Sequence, residues 1–249
     1  MADSSIPLLC ISDVHGMYYT LVRLLNAAPK PCRLILLGDL IDRGPNSREV
    51  VEFAMQNCIP TCMGNHEDLL LAYSSHAKRG YRPYCAAYYD RDVWLRNGGR
   101  KTLSSWDPEE VKTGGDVIPK DVLDWMQALP PYIVPDAPVD ENGRKILLSH
   151  TGFGLDADQN TPQGWLSALW GRHVDGEGEF PEDNYFRTVG HTRVPEPVIT
   201  ERYAYIDSGA AYGGGLTGLL WPSKEILYQQ GDETPTQIAF HVESGGCIT

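Results

Sequence analysis

The chain has 249 residues and six cysteines, Cys10, Cys32, Cys58, Cys62, Cys85 and Cys247, yet no C-x-x-C pair. That absence removes the usual spelling of a zinc ribbon or a redox dithiol, and because several of the cysteines sit in apolar runs, buried free thiols are expected. Long apolar runs are also missing: none approaches the roughly 18 to 20 residues that span a bilayer. The first residues include Asp3 and only a brief apolar run without a basic leader. Cys247 misses the prenylation spacing. These features predict a soluble protein in a reducing, cytoplasmic setting with no membrane partner. Positive charge is scarce, 21 Lys and Arg against 33 Asp and Glu for a net charge of −12. No block of five like charges occurs, so a basic stripe for nucleic acid is excluded and no nucleic-acid partner is expected. Internal repeats and low-complexity segments are absent as well. The run Gly213-Gly214-Gly215 lacks the Lys-Ser/Thr and the helix that would make it a P-loop.

What is present is a rhythm. Pro7 to Ser12 reads as a strand, followed by a helix with Met17, Leu21, Leu24, Leu25 and Ala28 on one face. Leu34 to Leu37 is a second buried strand, and the helix after Pro45 turns Val50, Val51, Phe53 and Ala54 inward. Cys58 to Met63 predicts a third strand, with a helix after Asn65 carrying Leu69, Leu70 and Leu71. Alternation of this kind places neighbouring strands in one sheet, with polar clusters at their carboxyl ends. From about Tyr73 to Leu129 helices and loops are expected, rich in aromatics: Tyr81, Tyr84, Tyr88, Tyr89, Trp94, Trp106 and Trp125, read mostly as core. Strand character resumes at Lys145 to Ser149, recurs before His191 and Asp207, and ends in a β meander or second sheet layer over Leu216 to Val242. One domain is expected over 1–249, with a mainly helical insertion at about 73–130.

The polar clusters carry the chemistry. Asp13-Val14-His15-Gly16, Gly38-Asp39-Leu40-Ile41-Asp42-Arg43-Gly44 and Gly64-Asn65-His66-Glu67 each follow an apolar run. Taken singly, Asp13 could be a helix cap, Asp39 and Asp42 turn residues, and His150 a hydrogen-bonded histidine. Together they can hold two divalent cations: Asp13, His15 and Asp39 around one, and Asp39, Asn65, His150 and His191 around the other, with Asp39 bridging. Oxygen and imidazole donors suit manganese, iron or zinc better than calcium, and the lack of thiolate argues against a structural zinc site. Arg43 and Arg172 can each grip two phosphate oxygens. His66 can protonate a leaving alkoxide, with Asp42 orienting it. His76, His173 and His241 lack such a context, and the acidic stretch Asp175 to Glu179 lacks EF-hand spacing.

The ordered series Ser12-Asp13-Val14-His15-Gly16, the Gly38 and Gly64 clusters, Ser149-His150-Thr151-Gly152, Val189-Gly190-His191-Thr192 and Ile206-Asp207-Ser208-Gly209-Ala210 resembles the phosphoprotein phosphatase family of calcineurin-like metallophosphoesterases. The resemblance is strongest to the bacterial and bacteriophage serine/threonine phosphatases. It implies an α/β (α+β) fold with a central two-sheet β-sandwich flanked by helices and a dinuclear centre at the top of the sheets. It also implies metal-bound hydroxide as the nucleophile, Asp13, His15, Asp39, Asn65, His150 and His191 as ligands, Arg43 and Arg172 as phosphate binders, and His66 with Asp42 as the acid pair. The cofactors would be two divalent ions, manganese first, with iron, zinc, nickel or magnesium as alternatives. Asp207 would support the site or begin the turn into Gly209. The implied activity is a metal-dependent serine/threonine protein phosphatase acting on phosphorylated proteins or peptides and small phosphomonoesters. The alternative is a symmetrical dinucleoside polyphosphate (diadenosine tetraphosphate) hydrolase. Relatives of that kind typically replace the acidic residues at Asp42 and Glu67, so retention of both favours the phosphatase.

Overall fold

A computed structural model describes residues 6–74, 92–109, 117–152, 162–172, 183–243 and 245–249. Strand β1 (Leu8–Ile11) is buried along its whole length, and its side chains divide by parity, as the two-residue repeat of a strand requires. Leu9 and Ile11 face the helices, whereas Leu8 and Cys10 face a second sheet. An uninterrupted apolar run is thus the signature of a strand covered on both faces.

The first sheet pairs β1 in parallel with β2 (Cys32–Leu36) and antiparallel with β8 (Gly215–Trp221), which continues into β9 (Glu225–Gln230). On the other side of β2 come β11 (Cys247–Ile248) and β10 (Val242–Glu243). The second sheet has the order β3 (Tyr132–Ile133), β4 (Lys145–Ser149), β5 (Tyr185–Val189), β7 (Tyr203–Tyr205), β6 (Val198–Ile199). Within it β4, β5 and β7 run parallel. Between the sheets Leu8, Cys10, Ile35, Leu37, Cys62, Leu219 and Trp221 meet Ile146, Leu148, Phe186, Ala204 and Ile206. The result is the α/β two-sheet sandwich that the sequence implies.

Helices α1 (Tyr18–Ala27), α2 (Ser47–Gln56) and α3 (Asn65–Tyr73) cover the outer face of the first sheet. They are joined there by α4 (Asp92–Trp94), a π turn (Leu95–Gly99), α5 (Arg100–Trp106) and α6 (Lys120–Gln127), while α7 (Pro162–Trp170) follows the loop after β4. No helix among the described residues is long and apolar enough to cross a membrane.

Two sequence expectations need correction. Cys58 to Met63 is not a regular strand: it meets β2 through an isolated bridge, Leu36 with Thr61. Pro60 has no N–H to give, and β11 already occupies the first half of that edge of β2. Nor does the Leu216 to Val242 stretch supply the second layer. Its β8–β9 hairpin joins the first sheet, and the second layer is built from residues 132–205. Tyr81, Tyr84, Tyr88, Tyr89, Cys85, His76, His173 and the Asp175 to Glu179 stretch lie outside the described residues.

Candidate active site

Five parallel strands, two from one sheet and three from the other, end at the same rim. Asp13 follows β1, Asp39 follows β2, His150 follows β4, His191 follows β5 and Asp207 follows β7. Eight non-glycine residues have positive φ among the described residues, and six of them are Asp13, His15, Asp39, Asp42, Arg43 and His191. Left-handed backbone costs a non-glycine residue of order 1 kcal/mol or more, so its concentration here marks a site held by its surroundings. The loops interlock closely. Gly64 lies against the Asp39 backbone and carboxylate, and Gly190 against Ser12 and Asp13, where any Cβ would collide.

One half of the cluster gathers around His15. Its Nδ1–H donates to the Ile41 carbonyl at 2.7 Å. That leaves the Nε2 lone pair to accept from the Arg43 guanidinium, with Asp39 Oδ2 at 3.4 Å and Asp13 Oδ1 at 3.9 Å. The other half gathers around His150, whose Nδ1–H donates to the Leu37 carbonyl at 3.1 Å. Its Nε2 then meets Asn65 Oδ1 at 2.9 Å, His191 Nδ1 at 3.1 Å and Asp39 Oδ1 at 3.5 Å. An imidazole lone pair directed at an amide oxygen and a carboxylate oxygen is acceptor against acceptor, an arrangement that suits a cation between them. His191 Nε2 is also buried without a hydrogen-bond partner among the described residues.

The electrostatics agree. Burial, followed by the neighbouring Asp207, pushes the Asp13 carboxyl well above its ordinary range, and burial with Glu67 does the same to Asp39. Burial lowers His15, His66 and His191, each further depressed by nearby imidazoles or Arg43. Carboxylates and imidazoles gathered around a single inner guanidinium, Arg43, are stabilised by a dication, which favours ionised carboxylates and neutral imidazoles together.

Asp42 and His66 form a buried pair, Oδ2 to Nδ1 at 2.5 Å. Burial pushes Asp42 up to about 8 against hydrogen bonds from Thr102 and Trp94, while burial and Arg43 lower His66. The contact fixes the ring with Nδ1 on Asp42 and Nε2 toward the cluster, 3.9 Å from Asp39 Oδ2. The Asp42 carboxylate also accepts Trp94 Nε1–H at 2.8 and 3.0 Å and Thr102 Oγ1–H at 2.5 Å. Trp94 is core, as its sequence context suggests, and it has this polar task besides. Glu67 does something else: its carboxylate accepts the backbone N–H of Asp39, Leu40 and Gly64 at 2.9, 2.8 and 2.9 Å. It splints two loops, so its retention does not discriminate between substrates.

The cleft has an empty volume of about 510 Å³ including open solvent. Asp13, Asp39, Asn65, His66 and His191 line it together with Arg43, the exposed Arg172, Arg193, Asp207 and Tyr212. All ten sequence-selected site residues thus belong to this cleft or to the shell directly behind it: Asp42, His15 and His150 contact the lining residues. Asp207 stands in the wall, its Oδ1 accepting Gly209 N–H at 2.9 Å. Arg193 and Tyr212 were not selected from the sequence, although each lies within five residues of a motif residue. His241 is exposed, with its backbone paired to Thr249.

The family model for calcineurin-like phosphoesterases matches residues 6–195, the stretch that supplies every candidate ligand. The chain belongs to that family. Among its relatives is the asymmetrical bis(5'-nucleosyl)-tetraphosphatase PrpE of Bacillus cereus, 23% identical over 258 residues that cover 94% of this chain and 96% of the relative. The corresponding protein of Bacillus mycoides is 26% identical, with 78% of each chain covered. Two solved structures share the fold. A candidate diadenosine tetraphosphatase superposes with TM-score 0.59 at 17% identity, covering 94% of this chain and 97% of its own. A protein serine/threonine phosphatase from Saccharomyces cerevisiae superposes with TM-score 0.54 at 14% identity, covering 96% and 84%. Calcineurin-like phosphoesterases work with a dinuclear metal centre, and the two groups His15, Asp39, His66 and Asp39, His150, His191 each bring donor atoms within 4.8 Å of one another.

Proposed function

We propose that this phosphoesterase hydrolyses dinucleoside polyphosphates, cutting the phosphate chain asymmetrically. The observation that carries the reading is the match to the B. cereus tetraphosphatase, which runs almost end to end in both chains, 94% and 96%. The reading replaces the protein phosphatase implied by the motifs, whose argument from Glu67 is lost once that carboxylate is seen to bind backbone.

The acceptor-against-acceptor contacts around His150, and the Asp13 and Asp39 carboxylates beside His15, fit two divalent cations. Asp13, His15 and Asp39 would hold one, and Asp39, Asn65, His150 and His191 the other, with manganese the first choice for this oxygen and nitrogen set. Bound there, the cations supply neutralisation of phosphoryl oxygens and activation of water. The chain's own residues do the rest. Arg43, whose guanidinium lies against His15 Nε2, and Arg172 at the mouth orient the phosphate by paired hydrogen bonds. His66 presents its Nε2 hydrogen toward the leaving oxygen, and Asp42 fixes the ring.

One observation favours a second reading. A phosphate leaving group needs little protonation, whereas an alkoxide needs much, and the intact Asp42–His66 pair at 2.5 Å is built to give a proton. Phosphomonoester hydrolysis, including phosphoserine and phosphothreonine peptides, is that reading. A manganese-loaded panel separates them. Diadenosine tetraphosphate should be consumed to a mono- and a triphosphate, with slower turnover of phosphopeptides. Two diphosphate products would overturn asymmetry, and turnover confined to phosphopeptides would overturn the proposal.

A further inference from the structure

Tyr212 stands on a short turn, Ala210–Tyr212, between Gly209 and Gly213, both with positive φ, and its N–H is tied to the Gly209 carbonyl at 2.8 Å. The ring is 53% exposed at the mouth of the cleft. Two cations share it: Arg193 Cζ lies 3.9 Å from the ring centroid and Arg43 Cζ 4.9 Å. The Arg193 loop is anchored beside the turn by the Val194 N–H, which donates to the Asp207 carbonyl at 2.9 Å.

The arrangement is electrostatically incomplete. Two guanidinium groups against one ring repel each other, and a cation–π contact at an exposed site returns only about 0.5–1 kcal/mol. Among the described residues neither arginine is held in an ion pair. Asp207, in the adjoining wall, accepts the Gly209 N–H and shares its charge between both arginines, so two guanidinium groups face one such carboxylate. In a chain with net charge −12, Arg43, Arg172 and Arg193 gathered on one rim are a local concentration of positive charge. Such a concentration suits an anion with more charge than one phosphoryl group.

Arg43 is the inner, half-buried cation, in contact with His15, and Arg193 is the outer, exposed one; both lie over the Tyr212 ring. A single phosphate on the cluster is served by Arg43. A phosphate chain leaving the cleft passes the Tyr212 edge and meets a guanidinium whose plane is already set by stacking, so little rotamer freedom is lost in gripping two oxygens. We infer that Arg193, held by Tyr212, is a specificity residue forming a second anion subsite for phosphates beyond the one being cut. The inference rests on the polyphosphate reading for what fills the subsite.

Titration calorimetry on the manganese-loaded protein tests it with two probes: methylenebisphosphonate, whose P–C–P link cannot be hydrolysed, and orthophosphate. In Arg193→Ala the preference for the bisphosphonate over orthophosphate should fall about tenfold, the loss of one charge-assisted pair of hydrogen bonds. Arg193→Lys should fall between, keeping charge without the stacked fork. An unchanged preference in Arg193→Ala, or an equal weakening of both probes, overturns the assignment. A melting curve for each variant checks folding, which an exposed side chain should not disturb. Failure of the wild-type protein to cleave diadenosine tetraphosphate would remove the proposed activity and leave this comparison standing, because neither probe is turned over.

Discussion

One oxygen of Glu67, Oε2, receives N–H groups from Asp39 and Gly64, and so ties the loop after β2 to the start of α3. The other, Oε1, receives the Leu40 N–H, so Glu67→Gln puts an amide NH₂ against at least one of the three donors. It should lower stability by about 1–3 kcal/mol, read as a shift of the urea midpoint at constant slope. Asp39 and His66 separate differently. Asp39 touches both halves of the cluster, so Asp39→Asn should abolish stoichiometric manganese retention, measured by elemental analysis after desalting. His66→Asn should keep the metal and lose about 10²–10⁴ in turnover, with the larger loss on substrates having poor leaving groups. Equal losses across leaving groups would remove the proton-donor role. The site residues were readable because Asp, His and Asn at strand ends carry their chemistry in their side chains. Arg193 and Tyr212 were not, since the contact that gives them meaning, a guanidinium on a ring, joins two loops that the sequence does not place together.

Elements were readable where burial is two-sided. Leu8–Ile11 reads as a strand because its apolar run fills two cores, and Lys145–Ser149 because Ile146 to Ser149 are buried on both faces, with Ile146 and Leu148 in the core between the sheets. The segment around Pro60 carries a similar apolar signal, but competition for one edge of β2 decided its pairing, and that is a tertiary event. The turn leading into β4 offers a test of its own. Asp140 accepts the backbone N–H of Asn142 and Arg144 at 3.0 and 2.7 Å and pairs with Arg144 Nε at 2.7 Å. Burial opposes ionisation of Asp140, but the hydrogen bonds from Arg144 and Asn142 outweigh it and hold the carboxyl below its ordinary value. Its folded pKa is depressed, so the stabilisation is present above the unfolded value near 3.9 and disappears as pH falls through the folded one. Asp140→Asn should therefore melt below wild type at pH 7, and the gap should narrow progressively as pH falls below the unfolded value in calorimetric scans. A gap that does not narrow at all as pH falls below the unfolded value would assign the effect to packing.

At the scale of the molecule, two cysteines report on the sandwich. Cys10 and Cys62 lie fully buried between the sheets, and burial raises both thiols far above their ordinary range, whereas Cys58 is exposed at the end of α2. The sequence expectation of buried thiols fails at Cys58 because the residue has positive φ in a turn that carries it outward. Alkylation at neutral pH followed by mass spectrometry should label Cys58 within minutes and leave Cys10 and Cys62 untouched until the sheets separate in denaturant. Early labelling of Cys62 would mean that the layers part without global unfolding.

The hydrogen bond from the His191 N–H to Asp13 Oδ2, 3.0 Å long, joins positions 178 residues apart. Bringing such distant positions together carries the loop-closure cost of a long-range contact, so it is expected to form late in folding. Asp13 and Asp39 arrive with one layer and His150 and His191 with the other. An incompletely docked chain therefore owns only half of a hydrolytic centre. A nascent or damaged copy would be inert toward every phosphate ester around it, and the appearance of activity during refolding would time the final docking of the two layers.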